Sequence, residues 1–231
     1  MSPLRILDPK LIPVTGVDGH LPPVPPSGLT AGALRSRFAQ LHGWEPEIPG
    51  DGRAFAGRDA AHAAVLVPLV QRANGLQVLL TRRTDHLRDH AGQISFPGGR
   101  AEPEDGDPAI TALREAEEEV GLPRDRVTVI GHMPVYTTVT RFEVTPVVAL
   151  VQPPFDLALD AFEVAEAFEV PLAYLMNPAH HRRHVVQMED GSRQFLSMPW
   201  QGEGADGVSR EYFIWGATAA MLRNLYRFLA A

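Results

Sequence analysis

Residues Gly99–Leu122 read GRAEPEDGDPAITALREAEEEVGL, an acidic loop running into a periodic segment that is bounded at both ends. Asp107-Pro108 supplies a capping side chain followed by proline at the first helical position, and Gly121 follows the last periodic residue, so the pattern predicts a helix ending at Val120. On a wheel of about 100° per residue, Ala109, Ala112, Leu113, Ala116 and Val120 gather on one side as the buried stripe. Glu115, Glu118 and Glu119 fall within one arc of about 100° on another side, and Glu117 points elsewhere. Like charges at these spacings cost an isolated helix about 0.2–0.5 kcal/mol per pair. A hard divalent cation compensates that cost, because carboxylate oxygens are its preferred ligands. Taken alone, the helix is read equally well as a solvated glutamate face with Arg114 and Arg124 nearby.

Charge is concentrated in the same place. The net charge of the chain is −7, and the window Glu102–Glu119 (Glu102, Glu104, Asp105, Asp107, Glu115, Glu117, Glu118 and Glu119 against Arg114) accounts for all of it. A neutral remainder argues against a dedicated nucleic-acid binder, and one acidic focus points to a cation site. Just before the helix, Phe96-Pro97-Gly98-Gly99 makes a tight turn in which glycine lets the backbone approach a ligand or metal and present a carbonyl to it. The residues leading into that turn, Leu79–Gly99 (LLTRRTDHLRDHAGQISFPGG), hold Arg82, Arg83 and Arg88 with His86 and His90. Guanidinium groups bind phosphate through paired, charge-assisted hydrogen bonds, so an acidic helix beside an arginine cluster suits a polyphosphate substrate. One of the adjacent arginines is expected to pair with Asp85 or Asp89, and the two histidines to be surface residues.

The 231 residues, 45% hydrophobic and 21% charged, allow a full core, and the absence of cysteine excludes a disulfide scaffold, a thiolate metal site and cysteine catalysis. Neither a membrane span nor a secretory signal is expected, nor is the peroxisomal tripeptide found in Leu-Ala-Ala, which leaves the cytoplasm as the expected location. Residues 1–30 are proline-rich and lack helical or strand periodicity, and read as an extended arm. A helix is expected within Ser27–His42, capped by Thr30. Ala61–Val70 and Leu76–Thr81 form a hairpin turning at Asn74-Gly75, and His184–Glu189 with Gln194–Met198 a second at Asp190-Gly191. Further strands are expected at Val127–Met133, Val144–Leu150, Ala165–Val170 and Tyr212–Trp215, with helices near Leu172–Met176 and Ala217–Leu229. Strands interrupted irregularly by helices predict a mixed sheet flanked by helices. The His180–His184 run reads as structure or surface.

In combination, Gly99, five residues, Asp105, eight residues and Arg114–Leu122 resemble the Nudix box: glycine, five residues, glutamate, seven residues, then Arg-Glu-apolar-x-Glu-Glu-x-Gly-apolar. The second half matches at every fixed position. Asp105 replaces a glutamate, one extra residue precedes Arg114, and Ala116 is smaller than usual. Leu79, Leu80, Thr81, Arg83, Thr84, Arg88, Gly92 and Phe96–Gly99 are similar to the signature of the coenzyme A pyrophosphatase branch. So are Val144–Val148, Phe168–Leu172 and Ile214–Ala219.

This resemblance implies an α/β (α+β) Nudix fold, a mixed sheet sandwiched between helices, over residues 31–231, with residues 1–30 as the unexplained arm. It implies Mg²⁺ or Mn²⁺ held by Glu115, Glu118 and Glu119 with a backbone carbonyl near Gly98. Glu115 is metal ligand or general base, and Arg114 orients the carboxylates. Arg82, Arg83, Arg88 and Gly99 bind substrate, and one of Glu143, Glu163 and Glu166 joins the site. The implied reaction cuts coenzyme A, or a derivative, into 4′-phosphopantetheine and adenosine 3′,5′-bisphosphate. The alternatives are another nucleotide (ADP-ribose, a dinucleoside polyphosphate or a dNTP) and a non-catalytic ligand sensor. Partners are then a small nucleotide, without nucleic acid or membrane, and a second copy in a homodimer for which Trp44, Trp200 and the arm are candidate contacts.

Overall fold

The computed structural model describes residues 8–40, 43–51, 60–86, 91–188, 191–204 and 206–231. The strands are β1 (Val14–Val17), β2 (Ala61–Arg72), β3 (Gly75–Arg83), β4 (Ile94–Ser95), β5 (Gly98–Arg100), β6 (Val127–His132), β7 (Tyr136–Thr137), β8 (Phe142–Val151), β9 (Val164–Pro171), β10 (Arg182–Met188), β11 (Gly191–Glu203) and β12 (Ser209–Trp215). The helices are α1 (Ala31–Ala39), α2 (Pro108–Val120), α3 (Leu172–Leu175) and α4 (Gly216–Ala230).

The larger sheet has eight strands, in the order β4-β3-β2-β8-β6, with β9 also on β3, β5 on β2 and β7 on β8. It is mixed: β2 pairs in parallel with β8 and antiparallel with β3. Its continuous apolar strands are covered on both faces, as such runs require. On one face α2 sets Ala112, Ala116 and Val120 against Leu66, Val147 and Ala149. On the other, Leu69, Val78, Leu80 and Val148 pack toward Met198 and Ile214 of a second sheet and Leu222 of α4. The sandwich is as expected, with the second sheet, β1-β10-β11-β12, added to it.

Two details differ from the sequence reading. In the first hairpin Arg72 pairs with Gly75, so the loop is Ala73-Asn74, one position earlier than Asn74-Gly75. Gly75 takes a positive φ of 111° at the first paired position, which explains why glycine follows the asparagine. The first thirty residues contain a strand despite lacking strand periodicity. β1 pairs with β10 through its backbone and leaves Val14 and Val17 exposed, so side-chain alternation carries no signal there. The arm continues along the body, where the Val24 amide donates to the Met176 carbonyl and the Tyr226 hydroxyl to the Pro22 carbonyl.

α1 begins where Thr30 accepts the Ala33 amide at 3.2 Å, and it buries Leu34 and Phe38. Trp44 packs edge-on against Phe228, and Trp200 against Tyr174, so both dimer candidates make contacts within the chain. The second hairpin is expected to turn at Asp190-Gly191, but Gly191 pairs with Met188 as part of β11, and residues 189–190 lie outside the described residues. No described helix is long and apolar enough to cross a membrane.

Candidate active site

α2 carries the site, and its ends are fixed as the sequence indicates. Asp107 accepts the Ala109 amide at 2.6 Å ahead of Pro108, and Gly121, at φ 66°, terminates the helix in the left-handed region. A side chain at Gly121 would also meet the Ala158 backbone nitrogen at 2.7 Å. The buried face holds Ala112, Ala116 and Val120 as predicted, but also Thr111 and Glu119, whereas Ala109 and Leu113 are half-buried.

The three glutamates occupy three environments. Glu119 is only 6% exposed; its Oε2 accepts the Gly98 amide at 3.0 Å, and its Oε1 lies 3.8 Å from Arg83 Nη1. Burial pushes its carboxyl up to about 7, and Glu115 and Glu163 add to the rise against the Gly98 amide and Arg83. Glu115 is half-buried and raised for the same first reason, burial, with Arg114 opposing and Glu118 and Glu163 reinforcing. Glu118 points outward, its side chain 60% exposed.

Arg114 ties these carboxylates together. Its Nη1 donates to Glu115 Oε1 and to Glu118 Oε2, each at 3.0 Å, while Nε and Nη2 grip both oxygens of Asp105 and Nη2 also reaches the Arg100 carbonyl. Asp105 is buried and accepts the Glu102 amide at 2.9 Å and the Thr111 hydroxyl at 2.9 Å as well. Hydrogen bonds from Arg114, then from Glu102, hold its carboxyl well below the ordinary range. The residue that departs from the box's glutamate is therefore the brace that holds Arg114. Glu117 stands apart, paired with Arg124 at 2.7 Å.

The glycine turn lies against the carboxylates. Gly98 has φ 154°, and a Cβ there would stand 2.4 Å from the Ala64 carbonyl oxygen. A Cβ on Gly99 would stand 2.6 Å from all three carboxylate atoms of Glu115. Only glycine permits that approach. The contact that Gly98 makes with the cluster is through its amide.

The arginines divide between two sides of β3. Arg83 faces α2, its Nη atoms 3.8 Å from Glu119 and 3.9 Å from Glu163, and its buried Nε has no hydrogen-bond partner among the described residues. Arg82 turns the other way, to Glu166 at 3.6 Å and Asp85 at 3.7 Å, so the pairing expected of one arginine falls on Arg82 and it does not join the carboxylates. Arg88 and His90 lie outside the described residues. The three later acids separate in the same way. Glu163 lies by Arg83 and raises both Glu115 and Glu119; Glu166 is buried under Tyr212 and Arg210; Glu143 pairs with His62 at 3.4 Å on the neighbouring strand β2. Glu163 precedes β9, where strand periodicity gives no facing, so the sequence offered no signal to single it out.

No three His, Asp or Glu side chains among the described residues are already gathered at metal-binding distance. The donor chemistry nonetheless fits a hard divalent cation. Glu115 and Glu163 both raise the proton affinity of Glu119, which is buried against one loose ion pair and one amide, and that is the charge imbalance a dication relieves.

Residues 60–189 match the family model described as NUDIX domain. A protein from Citrobacter koseri named uncharacterized Nudix hydrolase NudL is 39% identical over 201 residues, covering 86% of this chain and 94% of its own length. Its namesake from Escherichia coli (strain K12) is 42% identical over 165 residues, 71% of this chain and 80% of that one. Among solved structures, the Nudix hydrolase RenU from M. smegmatis aligns with a TM-score of 0.43 at 24% identity, over 49% of this chain and 71% of its own.

Proposed function

The chain belongs to the Nudix hydrolase family, and from that premise we propose that it is a metal-dependent hydrolase of a nucleoside diphosphate-linked substrate, coenzyme A or a derivative being the one its residues suit best. The observation that carries the reading is the juxtaposition of Glu115, Glu119 and Glu163 with the Gly98-Gly99 turn and an incompletely bonded Arg83. The choice of coenzyme A rests on the run Leu79–Gly99, whose leucines, threonine, Arg83 and Phe-Pro-Gly-Gly resemble that branch of the family.

Glu115, Glu118 and Glu119, with a backbone carbonyl at Gly98, would hold Mg²⁺ or Mn²⁺. Such an ion, when bound, neutralises diphosphate oxygens and makes phosphorus a better electrophile. Arg83 presents donors that its loose ion pairs leave unsatisfied, and a guanidinium takes two phosphate oxygens at once. Burial raises the proton affinity of Glu115, which suits it to accept a proton from the attacking water. The water oxygen bonds to phosphorus, its proton passes to that carboxylate, and the bond from phosphorus to the bridging oxygen breaks, leaving two phosphate monoesters. Arg114, itself held by Asp105, keeps Glu115 and Glu118 in place during the step.

The test is product analysis with coenzyme A and, separately, ADP-ribose, diadenosine polyphosphates and dNTPs, each with Mg²⁺ or Mn²⁺ and again with chelator. The expected products from coenzyme A are 4′-phosphopantetheine and adenosine 3′,5′-bisphosphate, formed only with metal. Glu119→Gln lowers kcat by about 10²–10⁴-fold. Intact coenzyme A beside cleavage of another diphosphate would overturn the substrate, and no cleavage of any would overturn the hydrolase.

A further inference from the structure

Directly before Glu163 in the chain stands an aromatic residue that the chemistry above does not use. Phe162 is 64% exposed, and its ring meets that of His86 with centroids 4.9 Å apart and planes tilted by 59°. A single exposed apolar side chain is ordinary on a protein surface. What distinguishes Phe162 is how firmly its backbone is fixed, and to what. Its amide donates to Asp160 Oδ1 at 2.9 Å, and its carbonyl accepts the Thr84 hydroxyl at 2.8 Å. The next residue is Glu163, whose carbonyl accepts the Thr84 amide at 3.0 Å; the Asp160 amide in turn donates to the Glu119 carbonyl at 2.9 Å. Thr84, buried, follows Arg83 directly. The turn that presents the ring is thus hydrogen-bonded both to the end of β3 that carries Arg83 and to the turn of α2 that carries Glu119.

We propose that Phe162, steadied by His86, is the stacking platform for the nucleobase of the substrate, placed to receive the base while the diphosphate lies at Arg83 and Glu119. This rests on the hydrolase reading above and adds a specificity-determining residue to it. The backbone beneath the ring is held by hydrogen bonds, the ring meets His86, and much of its surface faces solvent, the combination that a planar heterocycle needs on one side. Stacking tolerates any base, so the platform selects nucleotides over diphosphates without a base and leaves the choice among bases to other contacts.

The experiment compares the unaltered protein with Phe162→Ala and Phe162→Tyr, in steady-state kinetics on the best nucleotide substrate and in NMR titration with AMP and Mg²⁺. Phe162→Ala is expected to raise KM about tenfold or more with little change in kcat, since base stacking serves bound substrate and transition state alike. Phe162→Tyr restores KM to within about twofold because it keeps the ring. The upfield ring-current shift of the adenine protons on binding disappears in Phe162→Ala and returns in Phe162→Tyr. Unchanged KM and unchanged adenine shifts in Phe162→Ala would overturn the platform while leaving the hydrolase intact. AMP stacked on Phe162 in a protein that cuts no diphosphate would overturn the hydrolase and support the platform.

Discussion

Gly98 and Gly99 are chemically identical neighbours with different duties, and substitution separates them. At Gly98 an added methyl meets the backbone of Ala64 and Val65 at a φ that side chains rarely adopt. Gly98→Ala is therefore expected to cost about 1–3 kcal/mol and to lower Tm by several degrees in calorimetry. At Gly99 the obstacle is the far end of Glu115, a side chain that swings aside at little cost. Gly99→Ala is expected to leave Tm nearly unchanged and to lower kcat by up to about a hundredfold, because Glu115 is displaced. Equal losses of activity and stability at both positions would contradict this division. Arg83 allows a third comparison. Arg83→Lys keeps the charge but loses the two-pronged donor, and KM is expected to rise about ten- to a hundredfold, the worth of one charged hydrogen bond.

α2 was the most legible element because everything that defines it is local. Asp107, Pro108 and Gly121 mark its ends, and the spacing of Ala112, Ala116 and Val120 gives its buried face. What the wheel could not supply is the depth of Glu119, which depends on β5 coming close enough for Gly98 to bond it. Nor could it supply Asp105, whose function is to hold Arg114 across a loop. Asp105→Asn is thus expected to lower kcat about ten- to a hundredfold by loosening Glu115 and Glu118, with KM little altered. Combining it with Arg114→Lys should add little further, since both act through one contact. Among the later acids, Glu143 and Glu166 lie within strands whose pairing decides what they face, and that pairing is set by partners far away in sequence. Local pattern has no access to it.

At the scale of the molecule, the joining of the second hairpin, β12 and the arm's strand into one sheet escaped the sequence reading for that same reason, and a charge cluster around Arg223 joins them. Arg223 on α4 is fully buried, with Asp18 of the arm at 3.0 Å, Glu47 at 2.8 Å and His181 Nδ1 at 3.0 Å. A guanidinium only donates, so His181 accepts at Nδ1 and gives its Nε2 proton to the Leu175 carbonyl; the ring is neutral. Burial pushes His181 down to about 4 from 6.5. At Glu47 burial acts upward, but hydrogen bonds from Arg223 and Arg227 outweigh it and bring the group down to about 2 from 4.5. Unfolded chains take up these protons at higher pH than the folded protein does. The share of stability that these two groups supply is therefore present in full above about pH 6.5 and is lost first between 6.5 and 4 through His181, then between 4.5 and 2 through Glu47, while Glu119, raised to about 7, works the other way between 7 and 4.5. Melting curves of Glu119→Gln, which removes the opposing group, should show Tm falling across both ranges from pH 7.5 to 3, and a flat profile would refute it. Arg223→Met takes one partner from the buried Asp18, which keeps Arg183, and leaves the buried His181 Nδ1 unpaired, and is expected to cost about 1–3 kcal/mol.

That cluster also has a meaning in time. Asp18 leaves the ribosome long before Arg223 is made: at roughly 5–20 residues per second the interval is about ten to forty seconds. β1 must wait for β10, and Asp18 for α4, so the first described segment to be synthesised is among the last to find its place. During that interval the catalytic layer of β2, β3, β8 and α2 is already complete in sequence, and the arm closes over a body that has had time to form.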